Sequence, residues 1–200
     1  MKGSLIIISF FIIGTLCGVY HLIPYDFTQS NLSYYALCAL MFSVGISVGN
    51  DPQTLRNFRS LNPRLIFLPI MTILGTLAGS AAVSLILTHR SLTDCLAVGS
   101  GFGYYSLSSI FITEYKGAEL GTIALLANIS REILTLLAAP LLVRWFGNLA
   151  PISAGGATTM DTTLPIITRT AGQQFVVVSI FHGFVVDFSV PFLVTLFCSI

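Results

Sequence analysis

From Leu65 to Leu87 the chain carries no charged side chain, and that run decides which solvent it must meet. A helix rises about 1.5 Å per residue, so a stretch of this length matches a hydrocarbon core about 30 Å thick. Pro69 is placed to kink it, and Gly75 and Gly79 with Ser80 offer a face where another helix can approach closely. The remainder agrees: 54% of the 200 residues are hydrophobic and only 8% are charged, where a water-soluble domain carries about 25% charged residues. So little charge cannot dress a soluble surface. The predicted fold class is therefore all-α, a polytopic integral membrane protein forming a single transmembrane domain over residues 1–200.

Several functions are excluded early. A formal net charge of +1, without a basic stripe, leaves no footprint for nucleic acid. Cys17, Cys38, Cys95 and Cys198 are scattered and fit neither a zinc site nor a disulfide framework; they read as small packing residues. No cofactor or metal motif is present. There is no GxSxG elbow and no HExxH pair, so no enzyme activity is predicted.

Seven hydrophobic segments follow from the pattern. Leu5 to Tyr20 follows Lys2 and could be a secretory signal, but no A-x-A-like cleavage site follows it. It reads as a retained first helix, with Gly14 and Gly18 on one close-packing face. Leu32 to Val48 is the second, stopped by Asn50-Asp51-Pro52. Arg56, Arg59 and Arg64 then make the most basic loop, which puts that loop and the N-terminus on the cytoplasmic side. After Leu65 to Leu87 come Leu92 to Thr113, Gly121 to Val143, a segment opening at Pro151, and Phe175 to Phe197. If all seven cross, the C-terminus lies outside.

Two of these segments are broken, and each is predicted to be discontinuous or re-entrant. In the first, Gly99, Gly101 and Gly103 alternate ahead of Tyr104, Tyr105 and Ser106. The spacing is not that of a phosphate-binding loop and no strand precedes it, so a helix unwound around Gly99 to Gly103 is expected. In the second, PISAGGATTMDTTLP, residues Gly155, Gly156 and Pro165 break the helix, and Thr158, Thr159, Thr162 and Thr163 supply hydroxyls around Asp161. Such backbone is tolerated at membrane depth only where protein buries it or it lines a cavity. Asp161 is either a site residue or a helix N-cap. The two breaks are candidate halves of one site.

Glu132 is the sharpest single signal, a carboxylate near the middle of an apolar helix, where charge is costly and normally functional. A buried ion pair is the competing reading. Arg131 is its neighbour in sequence and does not share its face; Asn128, one turn away, does. On the last segment His182 and Asp187 are about 140° apart around the helix, so they need not pair. His182 is either a proton relay or a satisfied packing histidine. Tyr105, Ser106, Asn128, Glu132, Thr159, Asp161, Thr162, His182 and Asp187 are the candidate substrate- or proton-binding residues.

The combination of GFGYYSLSS at 101–109 with Thr113-Glu114, NISREI at 128–133, GGATTMDTTLP at 155–165 and His182-Gly183 resembles the bacterial L-lysine exporter family (LysO type). The resemblance is to the membrane domain forming the larger C-terminal part of full-length members. It implies secondary export of L-lysine and basic analogues across the inner membrane, coupled to protons, with Glu132 at the position of the family's intramembrane glutamate. Full-length members also carry an intramembrane aspartate in an N-terminal part that this sequence lacks, which implies a small partner subunit, a homodimer, or altered specificity. Two other readings stay open: a structural or regulatory subunit without its own translocation site, and a passive channel.

Overall fold

The computed structural model describes residues 13–14, 16–20, 63–87 and 89–200. The second predicted helix, the loop holding Arg56 and Arg59, and Cys38 lie outside the described residues. The chain divides into two compact units, Met1–Val48 and Gly49–Ile200. In the first, residues 16–19 are helical, within the first predicted segment.

The described part of the second unit is helical. A 3₁₀ turn (Pro63–Ile66) leads into α1 (Phe67–Ile86), followed by α2 (Leu92–Gly99), α3 (Tyr105–Lys116) and α4 (Ala118–Phe146). Then come α5 (Ala150–Gly155), a 3₁₀ turn (Gly156–Met160), α6 (Leu164–Ala171), a 3₁₀ turn (Gln173–Phe175) and α7 (Val176–Ser199). Among the described residues three helices, Phe67–Ile86, Ala118–Phe146 and Gln173–Ser199, are long and apolar enough to cross a membrane. Their outer surfaces carry exposed Phe67, Met71, Leu137, Leu141, Phe188 and Phe192, a surface suited to lipid rather than water. The protein is an all-α, multi-pass membrane protein.

Two features of α1 differ from expectation. Pro69 falls in its first turn, where the missing N–H is among those without an intrahelical partner; it starts the helix and does not kink it. A Cβ placed on Gly75 or Gly79 would meet nothing among the described residues within 4 Å. The close approach seen there is made by Ser80, a member of the predicted face, whose hydroxyl occupies the space a side chain at Gly99 would need. Gly99 is the last residue of α2, where the helix unwinds as expected, and it also allows this packing.

The two ends of the bundle show how the broken segments run. At one end an Arg90–Glu119 ion pair and a Lys116–Asp94 contact at 3.9 Å gather the start of α2, the end of α3 and the start of α4. At the other, Ile152, Ile167, Ala171 and Val178 cluster with Leu65, Leu68, Val143, Leu149, Ile166 and Phe175. That cluster joins the start of α1, the end of α4, both arms of the second broken segment and the start of α7. Helices α1, α4 and α7 thus run alternately between the ends, and each broken segment returns to the end it left. With 8 and 12 residues, α2 and α3 reach only about 12 and 18 Å, too short to cross singly. Both broken segments are hairpins.

Candidate functional site

The first hairpin turns at residues 100–104. Phe102 has φ +45° and Gly103 φ +93°; a left-handed bulky residue is rare and persists only where its surroundings hold it. What holds it is Asn128 of α4. Its Oδ1 accepts from the Gly103 N–H at 2.7 Å, and its Nδ2 donates to the carbonyls of Ala124 at 2.9 Å and Val98 at 3.2 Å. The amide replaces helix hydrogen bonds that the turn gives up. Gly101 is what admits it: an added Cβ would sit 2.7 Å from Ser108 Oγ and 2.8 Å from Asn128 Cγ.

The second hairpin turns at residues 156–163. Here α5 ends with carbonyls that have no helical acceptor role left and that carry the negative pole of the helix. Arg131 of α4 takes them: Nε donates to the Ala154 carbonyl at 2.8 Å and Nη2 to the Ser153 carbonyl at 3.1 Å. Its Nη1 reaches Thr76 Oγ1 at 3.4 Å, and its guanidinium lies 5.9 Å from the Phe102 ring centroid. Thr158 Oγ1 donates to the Gly155 carbonyl at 2.9 Å and meets the Thr163 hydroxyl at 3.1 Å.

The two tips touch backbone to backbone. Ala157 N–H donates to the Phe102 carbonyl at 2.9 Å. Gly156, with φ +63°, passes so close to that carbonyl that a Cβ would collide with it, and a Cβ on Gly103 would lie 3.2 Å from the Gly155 carbonyl. In hydrocarbon each unsatisfied backbone group costs several kcal/mol, so this pairing, together with Asn128 and Arg131, is what makes broken backbone tolerable. Arg131 is the fourteenth of the 29 residues of α4. The junction is at mid-helix.

Other polar groups surround it. Glu132 is 3% exposed, one turn from Asn128 on the same side of α4. Thr135, in the following turn, donates to the Arg131 carbonyl at 2.9 Å. His182 of α7 is fully buried, with Nδ1 3.2 Å from Thr159 Oγ1 and Nε2 2.9 Å from Thr72 Oγ1. Thr159 Oγ1 also approaches the carbonyls of Gly156 at 2.8 Å and Ser179 at 2.9 Å.

The predicted residues divide accordingly. Asn128, Gly101, Gly103, Gly155, Gly156, Thr159 and His182 meet at the junction. Tyr105 is buried and Ser106 half-buried, in the first turn of α3 leaving the first tip. Asp161 and Thr162 stand exposed at the edge of the second tip, where Asp161 Oδ1 accepts from the Thr162 N–H and hydroxyl. Thr163, not Asp161, occupies the N-cap of α6, and Pro165 lies in its first turn and starts it. Asp187 is buried on α7, one turn beyond Gly183.

Arg131, Phe102, Tyr104 and Thr72 were not among the predicted site residues. Arg131 carried a usable signal, since a cation at mid-helix in an apolar segment satisfies the same criterion as Glu132. A cavity of about 770 Å³ between α1, α2 and α4 links these levels: His89, Arg90 and Asp94 line it at one end, and Thr76, Asn128 and Arg131 at mid-depth.

A family model described as Lysine exporter LysO matches residues 8–198. The Lysine exporter LysO of Escherichia coli (strain K12) is 36% identical over 167 residues, covering 84% of this chain and 55% of that protein. The Putative lysine exporter of Haemophilus influenzae is 35% identical over 188 residues, covering 94% of this chain and 92% of that protein. The chain therefore spans about half the length of the first relative and most of the second. No solved structure matches it.

Proposed function

The chain belongs to the lysine exporter LysO family, and from that membership we propose that it is a proton-driven secondary exporter of L-lysine and basic analogues. The observation that carries the proposal is the meeting of two half-helix hairpins, entering from opposite ends, beside the buried Glu132. Discontinuous helices meeting at mid-depth are how secondary transporters expose helix termini and backbone to a charged substrate.

A lysine molecule presents a side-chain ammonium, an α-ammonium and a carboxylate. The Glu132 carboxylate replaces hydration that an ammonium loses at this depth. The first turn of α3, at Tyr105 and Ser106, presents the positive helix pole to the carboxylate. Thr159, Thr162 and His182 supply further hydrogen-bonding groups at the second tip. Asn128 and Arg131 act as positioning residues, since their donors are committed to the backbone of the tips. The cavity leading from Arg90 and Asp94 to mid-depth forms the passage on that side.

The orientation follows from charge. Arg90 and Lys116 at one end are paired with acids, whereas Arg144 and Arg169 towards the other end are exposed. By the positive-inside rule this makes the latter end cytoplasmic, in the bacterial inner membrane, and the N-terminus is taken to lie inside. Residues 1–200 act as one transport domain, either with a small membrane subunit or as a homodimer. Efflux of labelled lysine from loaded cells tests this: Glu132→Gln should lower it by about tenfold or more, the value of one charged hydrogen bond. Undiminished efflux at normal membrane levels would contradict the assignment.

A second reading takes its support from the partial coverage of the E. coli relative: a structural or regulatory subunit of a larger transporter, without its own translocation site. It predicts that Glu132→Gln has no effect while a copurifying membrane partner is indispensable.

A further inference from the structure

Arg90 and Asp94 lie four residues apart where α2 begins, and both line the mouth of the cavity between α1, α2 and α4. Ser91, the N-cap, accepts from the Asp94 N–H at 3.0 Å, which fixes the Asp94 backbone while its carboxylate meets Lys116. The wall beyond is largely apolar, with Val83, Leu87, Leu120 and Ile123 in it. A cation and an anion at the rim of an apolar cavity of about 770 Å³ suit a molecule that carries both charges and an apolar stem.

Both rim charges are already occupied, and by groups of a particular chemistry. Asp94 meets the Lys116 ammonium at 3.9 Å, and Arg90 meets the Glu119 carboxylate. Lys116 ends α3 and Glu119 stands in the first turn of α4, on either side of Gly117 with φ +93°. One turn of chain thus presents a primary ammonium and a carboxylate, the groups that a basic amino acid presents. Both contacts can be exchanged at small cost. The Lys116 contact is longer than a hydrogen bond. The four side chains are between 21% and 78% exposed, and ion pairs so placed contribute little to stability. Once displaced, Lys116 remains beside the negative pole of α3 and Glu119 beside the positive pole of α4.

We propose that Arg90 and Asp94 form an exit station for a basic amino acid, closed in this structure by the chain's own Lys116 and Glu119. This rests on the reading of the chain as a lysine exporter, and the station is separate from Glu132 at mid-depth. A lysine molecule arriving through the cavity offers an ammonium to Asp94 and its carboxylate to Arg90, whose planar fork matches a carboxylate. Its methylene stem lies along the apolar wall. Ion pairs are exchanged for ion pairs, so neither rim charge is left bare as substrate comes and goes. Arrival releases Lys116 and Glu119, and departure restores them. Asp94 lines the cavity whereas Lys116 does not, so the polarity of the pair matters: the acid must stand on the cavity side.

Equilibrium binding of labelled L-lysine to purified protein carrying Glu132→Gln isolates the station. Saturable binding is expected to survive there, weaker than at the Glu132 site. Adding Lys116→Gln should tighten it about twofold to fivefold by removing one half-exposed competitor, a gain that misfolding cannot produce. The same weaker class should appear, equally tightened, in Lys116→Gln alone, which leaves Glu132 intact. Exchanging the charges with Asp94→Lys and Lys116→Asp keeps an ion pair but puts the ammonium on the cavity side; binding should weaken about tenfold or more. A purely structural ion pair predicts no change in either case. Absence of the weaker class from the Lys116→Gln protein, or its full retention after the charge exchange, overturns the station. Efflux from loaded cells distinguishes this failure from that of the exporter reading. A chain that exports lysine in a Glu132-dependent way without Asp94-dependent binding refutes the station alone. A chain that binds lysine through Asp94 but exports none keeps the station and refutes the exporter.

Discussion

Arg131 and Glu132 are adjacent in sequence and serve different partners because adjacent helix residues project about 100° apart. Arg131 satisfies two end-of-helix carbonyls, a threonine hydroxyl and an aromatic face at once, which demands a planar fork of donors that lysine does not have. Arg131→Ala is therefore expected to destabilise the purified protein by roughly 2–4 kcal/mol, with Arg131→Lys recovering less than half of that. Thermal unfolding in detergent measures both, and an alanine variant as stable as wild type would remove the clamp from the account. Asn128→Leu keeps the volume and deletes the bond to Gly103; a loss of about 1–3 kcal/mol is expected from the stranded N–H. Legibility at this scale was uneven. Glu132 and Asn128 stood out because polar groups at mid-helix are rare. Arg131 was weighed only as a partner for Glu132, whereas its actual acceptors lie over twenty residues away. Thr72 carried no signal, since one hydroxyl in an apolar helix is ordinary until His182 is seen beside it.

At the scale of elements, the glycines and prolines marked where the helices stop, but not that the chain turns back. Reversal depends on the sign of φ at Gly103 and Gly156, and a glycine in sequence is compatible with either sign. Gly99, read as a breaker, ends α2 and also serves as a packing position against Ser80. These roles predict opposite outcomes for one substitution. Gly156→Ala places a Cβ against the Phe102 carbonyl at positive φ; it should cost at least about 1–2 kcal/mol from the backbone alone and impair export by displacing the tip. Gly79→Ala, in the interior of α1 with nothing among the described residues within 4 Å, should be neutral or stabilising by up to about 1 kcal/mol. Melting temperatures of the two variants make the comparison, and equal destabilisation would mean that the tips do not meet as described.

At the scale of the whole molecule, hydropathy identified the apolar segments and the membrane class, but could not tell a crossing from a hairpin, because both bury apolar side chains at the same depth. The ends of the bundle separate them. Lys116 returns to Asp94, so positions 91 and 117 lie at one end. Positions 147 and 172 belong to the other, next to Val143 and Ala171 of its apolar cluster. Single cysteines at Ser91 and Gly117, in a background lacking the four native cysteines, should react with an impermeant maleimide from the same side. Cysteines at Gly147 and Gly172 should react from the opposite side, the cytoplasmic one. Labelling of 91 and 117 from opposite sides would make the first broken segment a crossing.

The claim that joins these scales is that a cationic amino acid is held where the two tips meet beside Glu132, in this chain itself. Equilibrium binding of labelled L-lysine to the purified protein in detergent tests it without relying on flux, gradients or partner subunits. Saturable binding is expected, competed by basic amino acids and weakened about tenfold or more by Glu132→Gln in a variant that remains folded. No saturable binding by the wild-type chain, or an affinity unchanged by Glu132→Gln, would contradict it.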